Sequence, residues 1–178
     1  LTAAVTDMTI RNNVFSVSGT SPCAAITVTS SSHYSPRTPA PSSTRIYNNS
    51  AYNGTTYGFS FVQISDSYPA GGALPPTGTV TYNNLAYSPN TSSNAANAGG
   101  PSFVNFVSAS DIAGTPNSSD AQIKSTVPGF TVPPTTTLTT WTPSSGYAVD
   151  GGTYVAGAYD DLFGAIRSGT MDIGAVQP

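Results

Sequence analysis

An asparagine pair returns along this chain at an almost fixed interval: "IRNNVF" at residues 10–15, "RIYNNSAY" at 45–52 and "TYNNLAY" at 81–87. Asn13 and Asn49 are 36 residues apart, and Asn49 and Asn84 are 35 apart. Asn is a poor strand former, yet each pair sits among apolar and aromatic residues. A period of this size is the signature of stacked repeats, in which each unit buries its apolar face against the next. The offset also reaches beyond the pairs. Ile26 and Val28 in "AAITVTSS" align with Val62 and Ile64 in "GFSFVQIS". Each unit therefore carries an Asn-containing segment and a second, alternating strand. The third unit resumes with "TVTYNNLAY", followed by an insertion, "SPNTSSNAANAGG", and then "PSFVNFV" as its second strand.

Asn enters the left-handed backbone region more readily than any residue except Gly. If each unit is one coil of a parallel β-helix, the Asn pair fits the bend between two short strands. One Asn takes the positive φ; the other stacks on its counterpart in the next coil through its amide. This makes Asn13, Asn49 and Asn84 a structural ladder. No window of eleven residues keeps a helical apolar pattern, and residues 111–124 have room for at most one helical turn, after Asp120. The expectation is an all-β chain with about three coils over residues 1–110 and an irregular capping segment over 111–178. The alternative is an antiparallel β-sandwich, with the Asn pairs in unrelated hairpin turns.

Composition narrows the setting. Only 7% of the 178 residues are charged and the net charge is −3, so there is no basic footprint for nucleic acid. A hydrophobic fraction of 38% exceeds what a disordered chain carries. No apolar run is long enough to predict a membrane-spanning helix. Cys23 is the sole cysteine, which precludes an internal disulfide. Low charge and abundant hydroxyl side chains point to an extracellular or virion surface.

The last third of the chain contains "AVDGG" at 148–152, "DLFG" at 161–164, Arg167 and "DIGA" at 172–175. This series resembles the closing segment of right-handed parallel β-helix proteins of the pectate-lyase-like group. It departs from their pattern at Val176 and Gln177, where an acid is usual. The resemblance implies a right-handed helix whose open end is capped. Asp150, Asp161, Arg167 and Asp172 then form a polar clasp, Arg offering a planar fork to carboxylates. A sharper reading of the same carboxylates is a calcium site, although their spacing matches no calcium loop; no other cofactor is expected.

Candidate chemistry is sparse. His33, Tyr34 and Arg37 in "SHYSPR" are the one cluster able to supply a base, an acid and a carboxylate-neutralising charge. They lie in a Pro-rich loop, where the plain reading is solvated side chains. Aromatic residues say more. With Ile10 and Ile46 inward, strand alternation sets Arg11, Tyr47 and Tyr82 in one outward column. Ser16, Tyr52 and Tyr87 form a second. Tyr faces, and the single Trp141, suit stacking on sugar rings; the plain alternative is a packed ladder or a subunit interface. Asn-x-Ser/Thr sites occur at Asn48, Asn53, Asn90 and Asn117, relevant only where N-glycans are made.

"AVTDMTIRNNVF" reads as an interior coil. Its partner is expected to be further coils of the same polypeptide or a neighbouring subunit, with polysaccharide as a ligand and a homo-oligomer as one assembly. The functional expectation is the C-terminal part of an extracellular carbohydrate-binding or carbohydrate-processing protein, these residues being scaffold, cap and glycan surface. Were the whole protein an enzyme, it would be a polysaccharide lyase or glycoside hydrolase; no catalysis is expected within these residues. The alternative is a structural or adhesive fibre element, such as a phage tail or capsid domain recognising host glycans.

Overall fold

A computed structural model describes residues 5–17, 23–30, 41–53, 59–66, 76–87, 93–96, 102–104, 106–108, 112–113, 123–125, 142, 149, 151–152, 154, 156–157, 159–167 and 171–176. The described residues form strands and bends and no helix. The first coil consists of β1 (Thr9–Arg11), β2 (Val14–Val17) and β3 (Cys23–Ser30). The second consists of β4 (Arg45–Tyr47), β5 (Ser50–Asn53) and β6 (Phe59–Asp66). The third holds β7 (Val80–Tyr82), β8 (Leu85–Tyr87) and β9 (Ser93–Ala96). A fourth follows with β10 (Ser102–Val104), β11 (Phe106–Ser108) and β12 (Ile112–Ala113), and β13 (Ile123–Ser125) comes after it.

Three sheets result, with orders β1-β4-β7-β10, β2-β5-β8-β11-β13 and β3-β6-β9-β12. Each sheet takes one strand from each coil, an arrangement consistent with a parallel β-helix. Every pairing between these strands is parallel, which overturns the antiparallel sandwich. The 36-residue period is the register itself: Ile10 lies opposite Ile46, Ile26 opposite Val62 and Val28 opposite Ile64.

Three sequence expectations need correction. Among the described residues the stack has four rungs and the start of a fifth in one sheet, rather than about three coils. "PSFVNFV" opens the fourth coil, whereas the third coil's last strand is β9, inside the stretch read as an insertion. Small polar residues serve there because a strand between two neighbours is held by backbone hydrogen bonds without needing an apolar alternation. β12 and β13 extend the sheets past residue 110, and Ile123–Ser125 is strand in the stretch that had room for at most one helical turn.

The interior is packed from Ile26, Val28, Ile46, Ala51, Phe61, Val62 and Ala86, with Ile10, Phe15 and Ala25 against them. On β4, Arg45 is exposed while Ile46 and Tyr47 are both buried. Thr81 occupies the Ile46 register in the third coil and is also fully buried.

Two bends flank the first strand of each of the first three coils. Asn12, Asn48 and Asn83 have φ of 54°, 51° and 49°; five residues earlier Asp7, Ser43 and Gly78 have 55°, 57° and 65°. The left-handed region is costly for most side chains and mildest for Gly, Asn and Asp, so the residue types follow the backbone. The second set of bends escapes notice in sequence because Asp, Ser and Gly share no letter.

Candidate functional site

The second Asn of each pair builds a continuous ladder. Asn13 Nδ2 donates to Asn49 Oδ1 at 3.0 Å, and Asn49 Nδ2 donates to Asn84 Oδ1 at 3.0 Å. Each acceptor also takes a backbone N–H, from Asn13 and Asn49 respectively, at 3.0 Å. Asn49 Nδ2 further donates to Ile10 O and Tyr47 O, at 3.0 and 3.1 Å. Asn49 and Asn84 are fully buried; their amides satisfy backbone groups that the bend would otherwise leave unpaired.

The first Asn of each pair, the one with positive φ, faces the C-terminal segment. Asn12 Nδ2 donates to Asp160 O at 2.8 Å and Asn48 Nδ2 to Asp172 O at 3.1 Å. Gly174 N donates to Asn83 O at 2.8 Å, and Ala175 N to Ser50 Oγ at 2.9 Å. Val14 packs beside Ala175, Val176 and Leu162. Among the described residues, the segment thus lies along the side of the first three coils, following the Asn corner. It is a lateral strap, whereas the sequence expectation placed a cap over the open end. Gly174 has φ +109°, and a Cβ there would stand 2.8 Å from Ser50 Oγ, so the strap passes too close for any side chain at that position.

The strap's own fold depends on polar side chains. Asp161 Oδ1 accepts the N–H groups of Phe163 and Ala165, both at 2.8 Å, closing a turn between the bridged residues Asp160 and Ile166. Arg167 is buried and donates Nε to Asp160 O at 2.9 Å and Nη2 to Gly174 O and Ala175 O at 3.0 and 3.2 Å. Burial lowers its pKa, opposed by the negative charges of Asp161, Asp172 and Asp160; guanidinium remains protonated throughout. Arg167 thus forks onto backbone carbonyls, with the negative charges of Asp161 and Asp172 close to it. Asp150, the fourth residue of the expected clasp, lies outside the described residues. Among the described residues, no three His, Cys, Asp or Glu side chains are grouped as metal ligands would be.

Arg11 pairs with Asp160 at the strap's first crossing. The hydrogen bond from Arg11 holds the Asp160 carboxyl below its ordinary range, and the same bond raises Arg11. A carboxylate whose pKa is depressed by folding stabilises above its unfolded value, near pH 4, and loses that contribution as pH falls through the folded value. Asp160→Asn should therefore melt slightly below the parent at pH 7, and the gap should close as thermal scans move from pH 4 toward pH 2. Both side chains are more than a third exposed, so the effect is small and shrinks with salt.

Arg11, Tyr47 and Tyr82 do stand in one register column. The strap covers it. Tyr47 is 5% exposed and clusters with Met171 and Tyr82, so its ring has no free face for a sugar. Met171 reaches that position because Gly152 N donates to Met171 O at 2.7 Å, an approach that a Cβ on Gly152 would block. Tyr52 and Tyr87 share a second register column through β5 and β8. His33, Tyr34, Arg37 and Trp141 lie outside the described residues. Of the glycosylation motifs, Asn48 is fully buried with its amide committed to the strap, and is closed to modification in the folded chain.

Sequence reading missed the strap's own aromatic residues. Tyr154, Tyr159 and Phe163 are 68%, 62% and 55% exposed, beside the exposed Ile166. Their signal was an apolar and aromatic run over residues 154–166 in which Asp160 and Asp161 are the only charged residues. Comparison with protein families, curated proteins and solved structures finds no match for this chain.

Proposed function

We propose that the chain is a right-handed parallel β-helix, the scaffold of an extracellular carbohydrate-binding protein, with a strap that offers aromatic rings to a glycan. The observation carrying this reading is the exposure of Tyr154, Tyr159 and Phe163 on a segment anchored by buried polar groups. Exposed apolar side chains that gather in one patch mark an interaction surface. Flat amphipathic rings suit the apolar faces of sugars. The right hand follows from the strong preference of parallel crossovers. The resemblance of the closing segment to pectate-lyase-like proteins supports a carbohydrate ligand. With five Lys and Arg against eight Asp and Glu, neutral, hydroxyl-rich glycans fit better than uronates.

The test is titration of the full chain with neutral and uronate oligosaccharides, followed by calorimetry or NMR. Tyr159→Ala and Phe163→Ala should each weaken binding about fivefold, from roughly 1 kcal/mol per ring, with little change in Tm. Saturable binding that both variants leave intact would move the site elsewhere. Absence of binding at millimolar sugar would remove the carbohydrate reading.

A further inference from the structure

The Asn amides that face the strap share their partners with Arg167. Asn12 Nδ2 and Arg167 Nε both donate to Asp160 O, at 2.8 and 2.9 Å. Asn48 Nδ2 donates to Asp172 O and Gly174 O at 3.1 and 3.5 Å. Arg167 Nη1 and Nη2 donate to the same two oxygens, at 3.4 and 3.0 Å. The guanidinium is thus held against the seam where two successive corners of the stack meet the strap. Asn12 and Asn48 stand on neighbouring rungs there, Asn12 N donating to Asn48 O at 3.0 Å.

The oxygen end of each amide is the unexplained part. Asn12 Oδ1 and Asn48 Oδ1 are both shut off from solvent and take no hydrogen bond. Exchanging oxygen for nitrogen gives no relief, because each Nδ2 faces a carbonyl that an oxygen in its place would repel. Asn48 is fully buried, with its backbone bonded to a coil on either side. Its isolated oxygen is therefore a feature of the corner, repeated one rung away at Asn12. A buried carbonyl left unpaired bears the whole cost of losing water. Such groups are as a rule satisfied by protein or by an ordered water.

We propose that the seam is a binding site for one internal water, which bridges Asn12 Oδ1, Asn48 Oδ1 and the Arg167 guanidinium and seats the strap on the coils. The occupant must give a hydrogen bond to each oxygen and accept one from the guanidinium. Water does both. A cation gives no hydrogen bond and would stand beside a buried positive charge, and an anion would face the negative ends of two amide dipoles. The spacing also fits. Stacked residues on neighbouring rungs are about 4.8 Å apart. Two O–H···O bonds of about 2.8 Å, leaving one oxygen near the tetrahedral angle, span about 4.6 Å. The bonds from Arg167 to Asp160, Asp172, Gly174 and Ala175 carbonyls use four of its five hydrogens and leave one on Nη1 for the water. Three partners are what an internal water typically has. This proposal is independent of the glycan reading.

The experiment is solution NMR on the full chain, reading magnetisation transfer from water to the β-protons of Asn12 and Asn48, which are carbon-bound and do not exchange. Both sets should show cross-peaks of the sign that marks a water held longer than a nanosecond. The β-protons of Asn49, whose amide is fully bonded within the ladder, should show none. Asn12→Gly suits the positive φ at that position and removes one of the three partners, so the Asn48 cross-peaks should be lost or change sign. Their absence in the parent, or their persistence unchanged in Asn12→Gly, would overturn the bridge. Crystals of the parent soaked in a thallium(I) salt give a second measurement that needs no variant. Density within hydrogen-bond distance of both Oδ1 atoms and without anomalous signal supports the water. An anomalous peak at that point would assign the seam to a cation and overturn the proposal, as would a seam with no density.

Discussion

Arg167→Ala should be the most damaging substitution in the strap, costing about 3 kcal/mol, the scale for removing one partner from a buried charged cluster. On a chain of this size the Tm would fall by about 6–12 °C. The guanidinium ties Asp160 O at the first crossing to Gly174 O and Ala175 O at the last. Its loss takes one donor from each of four carbonyls, Asp160, Asp172, Gly174 and Ala175, and leaves the buried Asp161 and Asp172 without their cation. Lys cannot replace it, because one ammonium lacks the planar fork that reaches separated carbonyls; Arg167→Lys should recover less than half of the loss. Limited proteolysis offers a second readout: cleavage after residue 150 should accelerate in the variant while the coils resist. A Tm within 1 °C of the parent would mean that the strap does not depend on Arg167.

Asn49→Asp should cost about as much, roughly 3 kcal/mol, although it alters a single atom. Asn49 Nδ2 donates to three oxygens: Ile10 O, Tyr47 O and Asn84 Oδ1. A carboxylate there has nothing to give them, and repels all three inside a fully buried corner. Folding would raise this carboxyl's pKa, so the penalty should be smallest below about pH 4 and grow as pH rises above it. Asn13→Asp should be much milder, since its amide is partly exposed and serves only Arg11 O and Asn49 Oδ1. Chemical denaturation of both variants at pH 4 and pH 7 separates the cases. Equal costs at the two positions would mean that the ladder's interior bonds carry no special weight.

Some of this architecture can be read directly from the letters. A parallel coil must place equivalent residues one above another, so a constant 35–36-residue spacing becomes the strand register. The bend needs a left-handed residue and the ladder needs a two-way amide. Asn supplies both, which is why the pair repeats while its neighbours drift. Where several residue types meet the same demand, the repeat fades: the bend at Asp7, Ser43 and Gly78 and the polar strand at Ser93–Ala96 leave no common letter. The fourth coil hides for the same reason, having no Asn pair to announce it.

The strap belongs to tertiary structure alone. Its residues could be picked out in sequence as Asp161, Arg167, Asp172 and two glycines, but not what they hold. Asn12, Asn48 and Asn83 show the same letters whether their outer sides meet water or a passing chain. Contacts such as Asn48 to Asp172 span 124 residues, and no local pattern encodes a pairing at that distance. Tyr47 makes the same point about function. Strand alternation determines that it points out of the coil, and only the strap's path over Met171 and Gly157 decides that its ring is buried. The sequence by itself thus determined the repeat, its register and its corner chemistry, because those are conditions each coil meets locally. Which outward faces remain open was decided when the C-terminal segment chose its side of the stack, through backbone carbonyls that every residue shares.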